Sequence, residues 1–65
     1  MIEILRVKVQ YLNGDNVIKN YKLPSIKVFT CKEALEDYRK LRQLKLQYKA
    51  GKDIKVSVLF DTKEL

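Results

Sequence analysis

Residues 30–50, TCKEALEDYRKLRQLKLQYKA, decide the fold of this chain because they carry its one long helical pattern. The interior of the segment lacks Gly, Pro, Val, Ile and Thr, which all lower helix stability. Thr30 and Glu33 have the spacing of a capping box, in which each side chain accepts a hydrogen bond from the backbone N–H of the other residue. Gly51 follows as a natural residue to end the helix. We therefore predict one helix over about residues 31–50.

Two faces with apolar residues can be drawn on this helix. The broader face has spacings of three and four residues, and we expect it to pack on a sheet. It comprises Cys31, Ala34, Tyr38, Leu41, Lys45 and Tyr48, with Leu35 and Leu44 at its flanks. The second face is a mixed apolar and basic strip of Leu35, Arg39, Arg42 and Leu46, continued by Lys49. We interpret this strip either as a partner-binding surface or as an ordinary solvated flank.

Alternating apolar and polar residues predict three β-strands, over about residues 2–12, 17–23 and 54–60. The first two strands flank an Asn-Gly turn at residues 13–16, which is the strongest short signal for a β-hairpin. The apolar alternation of the first strand changes phase near its start. Either a bulge lies near Ile4-Leu5, or the outer face of the sheet is apolar at one end.

The order of predicted elements is β-β-α-β within a single domain spanning residues 1–65. One helix on one face of a three-stranded sheet is a two-layer α+β fold. We favour the sheet order 2-1-3, with the predicted strands numbered along the chain and the first strand in the centre. A minimal β-grasp arrangement is the alternative, and the crossing at residues 24–29 decides between them.

A chain of 65 residues has a small core, so a homodimer that buries further apolar surface is a reasonable hypothesis. The single cysteine, Cys31, excludes a disulfide within the chain, and we interpret it as a small buried hydrophobe. With no His and one Cys, a structural zinc site is excluded. The amino-terminal segment lacks the apolar stretch of a signal peptide, and no uncharged run could span a membrane. We expect a cytoplasmic protein.

The inventory of reactive side chains argues against catalysis. His, the commonest general base, is absent, and neither serine has an activating partner in the sequence. Only two glycines occur, so the chain has no glycine-rich phosphate loop. We predict that the protein is not an enzyme and uses no cofactor and no metal.

The chain has 14 Lys and Arg residues against 8 Asp and Glu, a formal net charge of +6. Such a charge attracts phosphates and acidic partners, although a lysine-rich composition alone also produces it. Two sets of basic residues are placed to contact nucleic-acid phosphates. The helix set comprises Arg39, Lys40, Arg42, Lys45, Lys49 and Lys52. The set on the outer face of the sheet comprises Arg6, Lys8, Lys22 and Lys55.

The aromatic residues weigh against recognition of single strands by the sheet, because such surfaces expose rings for base stacking. Strict alternation directs all three sheet aromatics inward, under the helix. These residues are Tyr11, Tyr21 and Phe60. The outer face instead offers apolar side chains among its lysines, which suit a protein interface or self-association. They are Ile4, Ile18 and Leu59.

We predict a small non-enzymatic binding module that acts through protein–protein interaction, as an accessory or inhibitor-like protein or as a homodimer. Its partner-binding residues would be Leu35, Arg39, Arg42, Leu46 and Lys49. The alternative is a basic nucleic-acid-binding protein that contacts phosphates through the two basic sets.

Overall fold

The computed structural model describes all residues, 1–65, and contains four strands and one helix. In chain order the elements are β1 (Ile2–Asn13), β2 (Asn16–Pro24), β3 (Val28–Phe29), α1 (Lys32–Ala50) and β4 (Lys55–Glu64). The predicted α+β class is confirmed, because one helix packs against an antiparallel sheet. β4 is longer than predicted, since Asp61, Thr62, Lys63 and Glu64 continue to pair with β1 instead of forming a polar tail.

β1 is the central strand of the sheet. β2 pairs with its second half and the two-residue β3 pairs with its start, along the same edge. β4 pairs with nearly the whole length of β1 on the other edge. The favoured order, with the first predicted strand between the other two, is thus confirmed. All pairings are antiparallel, which rules out the minimal β-grasp alternative with its parallel first and last strands.

A bulge in β1 resolves the change of phase seen in the sequence. The pairing with β4 shifts between Ile4 and Arg6, so Leu5 is the extra residue. Because of this bulge, Ile4 and Val7 both point into the core, while Leu5 is exposed. Of the two alternatives, the bulge near Ile4-Leu5 is the one observed, and the placement of Ile4 on the outer face is wrong.

The β1–β2 hairpin forms where the sequence predicts it, with Gly14 and Asp15 as its two central residues. Gly14 has a φ of 61°, and no non-glycine residue in the chain has a positive φ. A positive φ at the first central position alone is the pattern of a type II′ turn, whose twist suits a hairpin.

The fully buried core is small and lies between the centre of the sheet and the helix. Only six of the 65 residues are buried, and all six are Ile or Val on β1 and β4. Half-buried side chains from the helix and from Phe29 close this core. Burial of a Val or Ile side chain contributes about 1.5–3 kcal/mol, so the chain has little stability to spare.

The helix uses a different face from the one predicted. Its contacts with the core come from Leu35, Tyr38, Leu46 and Ala50, with Arg39 and Arg42 half-buried between them. Leu41, Leu44 and Tyr48, which were predicted to face the sheet, are 56%, 71% and 90% exposed. The observed face is rotated from the predicted one by about 100°, the angle that one residue turns in an α-helix.

Polar contacts with the free edge of β4 explain the rotation. The backbone N–H of Val56 donates to Gln47 Oε1 at 2.9 Å, and Gln47 Nε2 donates to the Ile54 carbonyl. Nearer the start of the helix, Arg39 Nη1 donates to the Val58 carbonyl at 3.4 Å. Gln47 and Arg39 reach these groups only when their side of the helix faces the sheet, and their bonds cover an otherwise open strand edge.

Of its two ends, only the N-terminal end of the helix differs from the prediction. The helix begins at Lys32, and its N-cap is Cys31, which has extended backbone angles and makes no side-chain cap. The predicted capping box does not form, and Cys31 is exposed instead of buried. At the other end, Gly51 has a φ of 89° and its N–H donates to the Gln47 carbonyl at 3.1 Å.

Candidate functional site

Two adjoining surfaces on α1 are the candidate sites of this protein. No group of three or more His, Cys, Asp and Glu residues lies close enough to hold a metal ion. The helix has no long apolar stretch of the kind needed to cross a membrane.

The first candidate is the helix stripe, which we define as Leu41, Leu44 and Tyr48. Their spacings of three and four residues place them on one side of α1, facing away from the sheet. Leu44 and Tyr48 form the apolar part of two shallow surface depressions, which also include Lys45, Lys49 and Gly51. The sequence shows the apolar character of the stripe residues, but we predicted that they face the core.

The second candidate is the basic groove between α1 and β2. It is lined by Tyr21, Tyr38, Leu41, Arg42, Lys45, Leu46 and Lys49, and encloses about 260 Å³. The groove exists because α1 lies along β4 and β3, leaving the inner side of β2 uncovered. Tyr21 is the only residue of β2 that is more than lightly buried, and it forms the sheet side of the groove.

Arg42 is the deepest cation of the basic groove. Its Nη1 donates to the Tyr38 hydroxyl at 3.2 Å, while its Nε is buried and has no hydrogen-bond partner. No carboxylate lies within salt-bridge distance of its guanidinium group. Arg42 thus holds a partly desolvated positive charge without an anion, an arrangement that costs free energy in the folded state.

Two further lysines lie against the aromatic rings of the basic groove. The Lys27 Nζ is 4.5 Å from the centroid of the Tyr38 ring. The Lys19 Nζ lies 5.3 Å from the Tyr21 ring centroid. These cation–π contacts bring positive charge to the sheet side of the groove as well as to its helix side.

Arg39 lies on the β4 side of α1, outside the basic groove, and has a full set of partners. Its Nη2 is 3.1 Å from Glu36 Oε2, and its Nη1 donates to Gln43 Oε1 at 3.0 Å. The hydrogen bond from Arg39 holds the pKa of Glu36 below its ordinary value. Arg39 therefore holds α1 to the sheet and does not belong to a free basic patch.

The predicted partner-binding strip does not form one continuous surface. Leu35 packs on the core and Arg39 is bound to β4, whereas Arg42, Leu46 and Lys49 line the basic groove. The helix set of basic residues is also divided. Arg42, Lys45 and Lys49 share the basic groove, while Lys52 lies beyond the end of α1.

The outer face of the sheet is partly neutralised by Asp61. Its Oδ1 is 3.0 Å from Lys8 Nζ, and its Oδ2 is 3.4 Å from Arg6 Nε. The hydrogen bond from Lys8 and the charges of Arg6 and Lys22 hold the pKa of Asp61 below its ordinary value. This one carboxylate offsets only part of the charge of the predicted set, and neither Lys22 nor Lys55 takes part in an ion pair.

Comparison of the chain with protein-family models, with curated proteins and with solved structures gives no match. The function of the chain is therefore inferred from its two candidate surfaces.

We predict opposite effects on stability for two arginine substitutions in the helix. Arg42→Met removes an uncompensated, half-buried charge and should leave the free energy of unfolding unchanged or raise it by about 1 kcal/mol. Arg39→Met removes several hydrogen bonds and should lower it by about 1–2 kcal/mol. Urea denaturation followed by circular dichroism measures both, and equal destabilisation by the two variants would contradict this assignment.

A second prediction concerns the pH dependence of stability. Because the folded-state pKa of Asp61 is lowered, its ion pairs contribute stability above the unfolded-state pKa of about 3.9. This contribution should disappear as the pH falls through the lower, folded-state pKa. Asp61→Asn should therefore reduce the loss of free energy of unfolding between pH 6 and about pH 2.5. Asp53→Asn, which removes a carboxylate outside the ion pairs, is the control and should preserve the wild-type dependence.

Proposed function

We propose that the protein is a small non-enzymatic binding module that acts through protein–protein contact, with the helix stripe as its interface. The observation that carries the proposal is the exposure of the stripe, Leu41, Leu44 and Tyr48, on a helix whose other side is already packed. Single exposed apolar residues are ordinary, but adjacent ones on successive helical turns form a patch. A helix with apolar residues on two sides is typical of one that is covered on both sides.

The partner that best fits the helix stripe is a second copy of the chain in antiparallel orientation. Along the stripe, Asp37 lies seven residues before Leu44 and Lys52 lies eight residues after it. In an antiparallel pair centred on Leu44, Asp37 of each copy approaches Lys52 of the other. A parallel pair would instead place like charges together, which is unfavourable.

Twofold symmetry also suits this arrangement, because the same patch can serve both copies. The paired stripes would extend the small core of each chain with a second apolar layer between the two helices. The added burial would stabilise a chain in which only six residues are buried. A contact of three turns of helix is nevertheless smaller than the roughly 1,200 Å² of stable interfaces, so we expect a dissociation constant of about 10–100 μM.

The dimer should respond to salt in a characteristic direction. Each copy has a formal charge of +6, so the two copies repel each other at low ionic strength. Salt screens this repulsion while leaving the apolar contact intact. Self-association should therefore strengthen when the salt concentration rises from 0.05 to about 0.5 M.

Sedimentation analysis from about 5 μM to 1 mM protein tests the proposal, since this range brackets the expected dissociation constant. The wild-type mass should rise towards that of a dimer, and Leu44→Gln with Tyr48→Gln should keep the protein monomeric. Leu59→Gln, which makes a comparable change at an exposed site on the outer sheet face, is the matched control and should still dimerise. A wild-type protein that stays monomeric at 1 mM, or a control that dissociates equally, would contradict the proposal.

A further inference from the structure

We infer that the basic groove binds the phosphodiester backbone of single-stranded nucleic acid, without base specificity. This inference does not rest on the proposed dimer, although the basic groove adjoins the helix stripe and shares Leu41 with it. It assigns a ligand class to a site whose lining includes Tyr21, Tyr38, Arg42, Lys45 and Lys49.

The charge of the basic groove points to an anionic ligand. Three cations belong to its helix side, and two more lie over the rings of Tyr21 on β2 and Tyr38 on α1. They are Arg42, Lys45, Lys49, Lys19 and Lys27. None of the five takes part in any of the three salt bridges of the chain. The positive potential of the groove is thus uncompensated by the protein itself, and an anionic ligand is its natural complement.

The polar groups that line the basic groove are hydrogen-bond donors. Arg42, Lys45 and Lys49 offer only donors, and no carboxylate is among the lining residues. The Tyr38 hydroxyl accepts from Arg42 Nη1, so its own proton is free to be donated. A lining of this kind matches phosphate oxygens, which accept hydrogen bonds and donate none.

The charge of Arg42 has no counter-charge within the protein. Arg39, one helical turn away, shows how this chain stabilises a half-buried arginine, with a carboxylate, an amide and a carbonyl as acceptors. Arg42 has only a neutral hydroxyl. A phosphate in the groove would supply the missing counter-charge, so the cost of Arg42 to stability would be offset when ligand is bound.

The shape of the basic groove favours an extended chain. Arg42, Lys45 and Lys49 follow one another along seven residues of α1, a rise of about 10.5 Å. A linear row of cations tracks a backbone with successive phosphates better than it encloses a single compact anion. The groove is open along β2, because the helix does not cover that strand.

The aromatic rings explain why we expect no base recognition. The ring of Tyr38 already contacts Phe29 and Phe60, with centroid separations of 5.2 and 5.8 Å, and Lys27 lies over it. The ring of Tyr21 stacks on Tyr11 at 6.3 Å. Since these ring faces are occupied, the two tyrosines line the groove and offer their hydroxyl groups as hydrogen-bond donors. The affinity should therefore come from phosphate contacts.

Fluorescence anisotropy with labelled 12-nucleotide single strands of dT and of U, across 25–300 mM salt, tests the inference. The logarithm of the association constant should fall linearly with the logarithm of the salt concentration. The two single strands should bind with similar affinity, and a duplex of the same length should bind at least about tenfold more weakly, since contact is confined to a narrow groove.

The decisive variants neutralise two lysines at a time on the same helix. Lys45→Gln with Lys49→Gln removes two groove cations and should reduce the salt slope by about 1.4, at about 0.7 per phosphate contact. Lys32→Gln with Lys40→Gln changes the net charge equally outside the groove and should leave the slope within about 0.3 of wild type. Arg42→Met should stay folded and also bind more weakly.

Several results would overturn the inference. One is the absence of binding to either single strand at 25 mM salt. Another is an equal loss of affinity in the two lysine pairs, which would mean that net charge alone attracts the strand. Duplex binding as strong as single-strand binding would also overturn it, because the contact would then lie on an open surface instead of the groove.

Discussion

The contact between Gln47 and the free edge of β4 is the interaction on which the rest of the surface depends. Gln47 accepts from the Val56 N–H and donates to the Ile54 carbonyl, so one side chain replaces part of a missing strand. Arg39 makes a similar contact with Val58. Buried or half-buried backbone groups need such partners, and these bonds fix which side of the helix faces the sheet.

The rotation set by these polar contacts has two consequences for the surface. It turns Leu41, Leu44 and Tyr48 outward as the helix stripe, although their spacing is that of a core face. It also brings Arg42 to the boundary between helix and β2, where its charge finds no carboxylate. Both candidate surfaces therefore follow from one packing choice. Each of the two surfaces lowers the stability of the folded monomer, as is common for residues retained for binding.

The sequence predicts the fold class and sheet order well because those features depend on strong local patterns. Strict alternation, the turn at Gly14 and the uninterrupted helix each favour one structure. The bulge at Leu5 also had a visible signal, the change of phase in β1. The cap at Thr30 failed, since a capping box is a local preference that tertiary contacts override.

The candidate site could not be predicted because two apolar arcs on the helix compete closely. One contains Leu41, Leu44 and Tyr48, and the other contains Leu35 and Leu46. The number of apolar residues favours the first arc. The small Ile and Val core of β1 and β4, however, is covered by few helix side chains, and the backbone groups at the edge of β4 need polar partners. The bonds of Gln47 to a distant strand have no signature in the sequence, so the exposure of the helix stripe could not be predicted. Of the basic groove, the sequence indicated only the cations Arg42, Lys45 and Lys49.

The orientation of the helix is the central claim, and thiol labelling measures it directly. Cys31→Ser removes the native thiol, and Tyr48→Cys or Leu46→Cys then introduces a single cysteine. The reaction of each cysteine with a thiol reagent is followed at about 5 μM protein, which is below the expected dissociation constant of the dimer. We expect the cysteine at position 48 to react as fast as in the unfolded protein, and the cysteine at position 46 to react at least about tenfold more slowly. Faster labelling at position 46 than at position 48 would show that the helix packs with its other face, and would contradict the account.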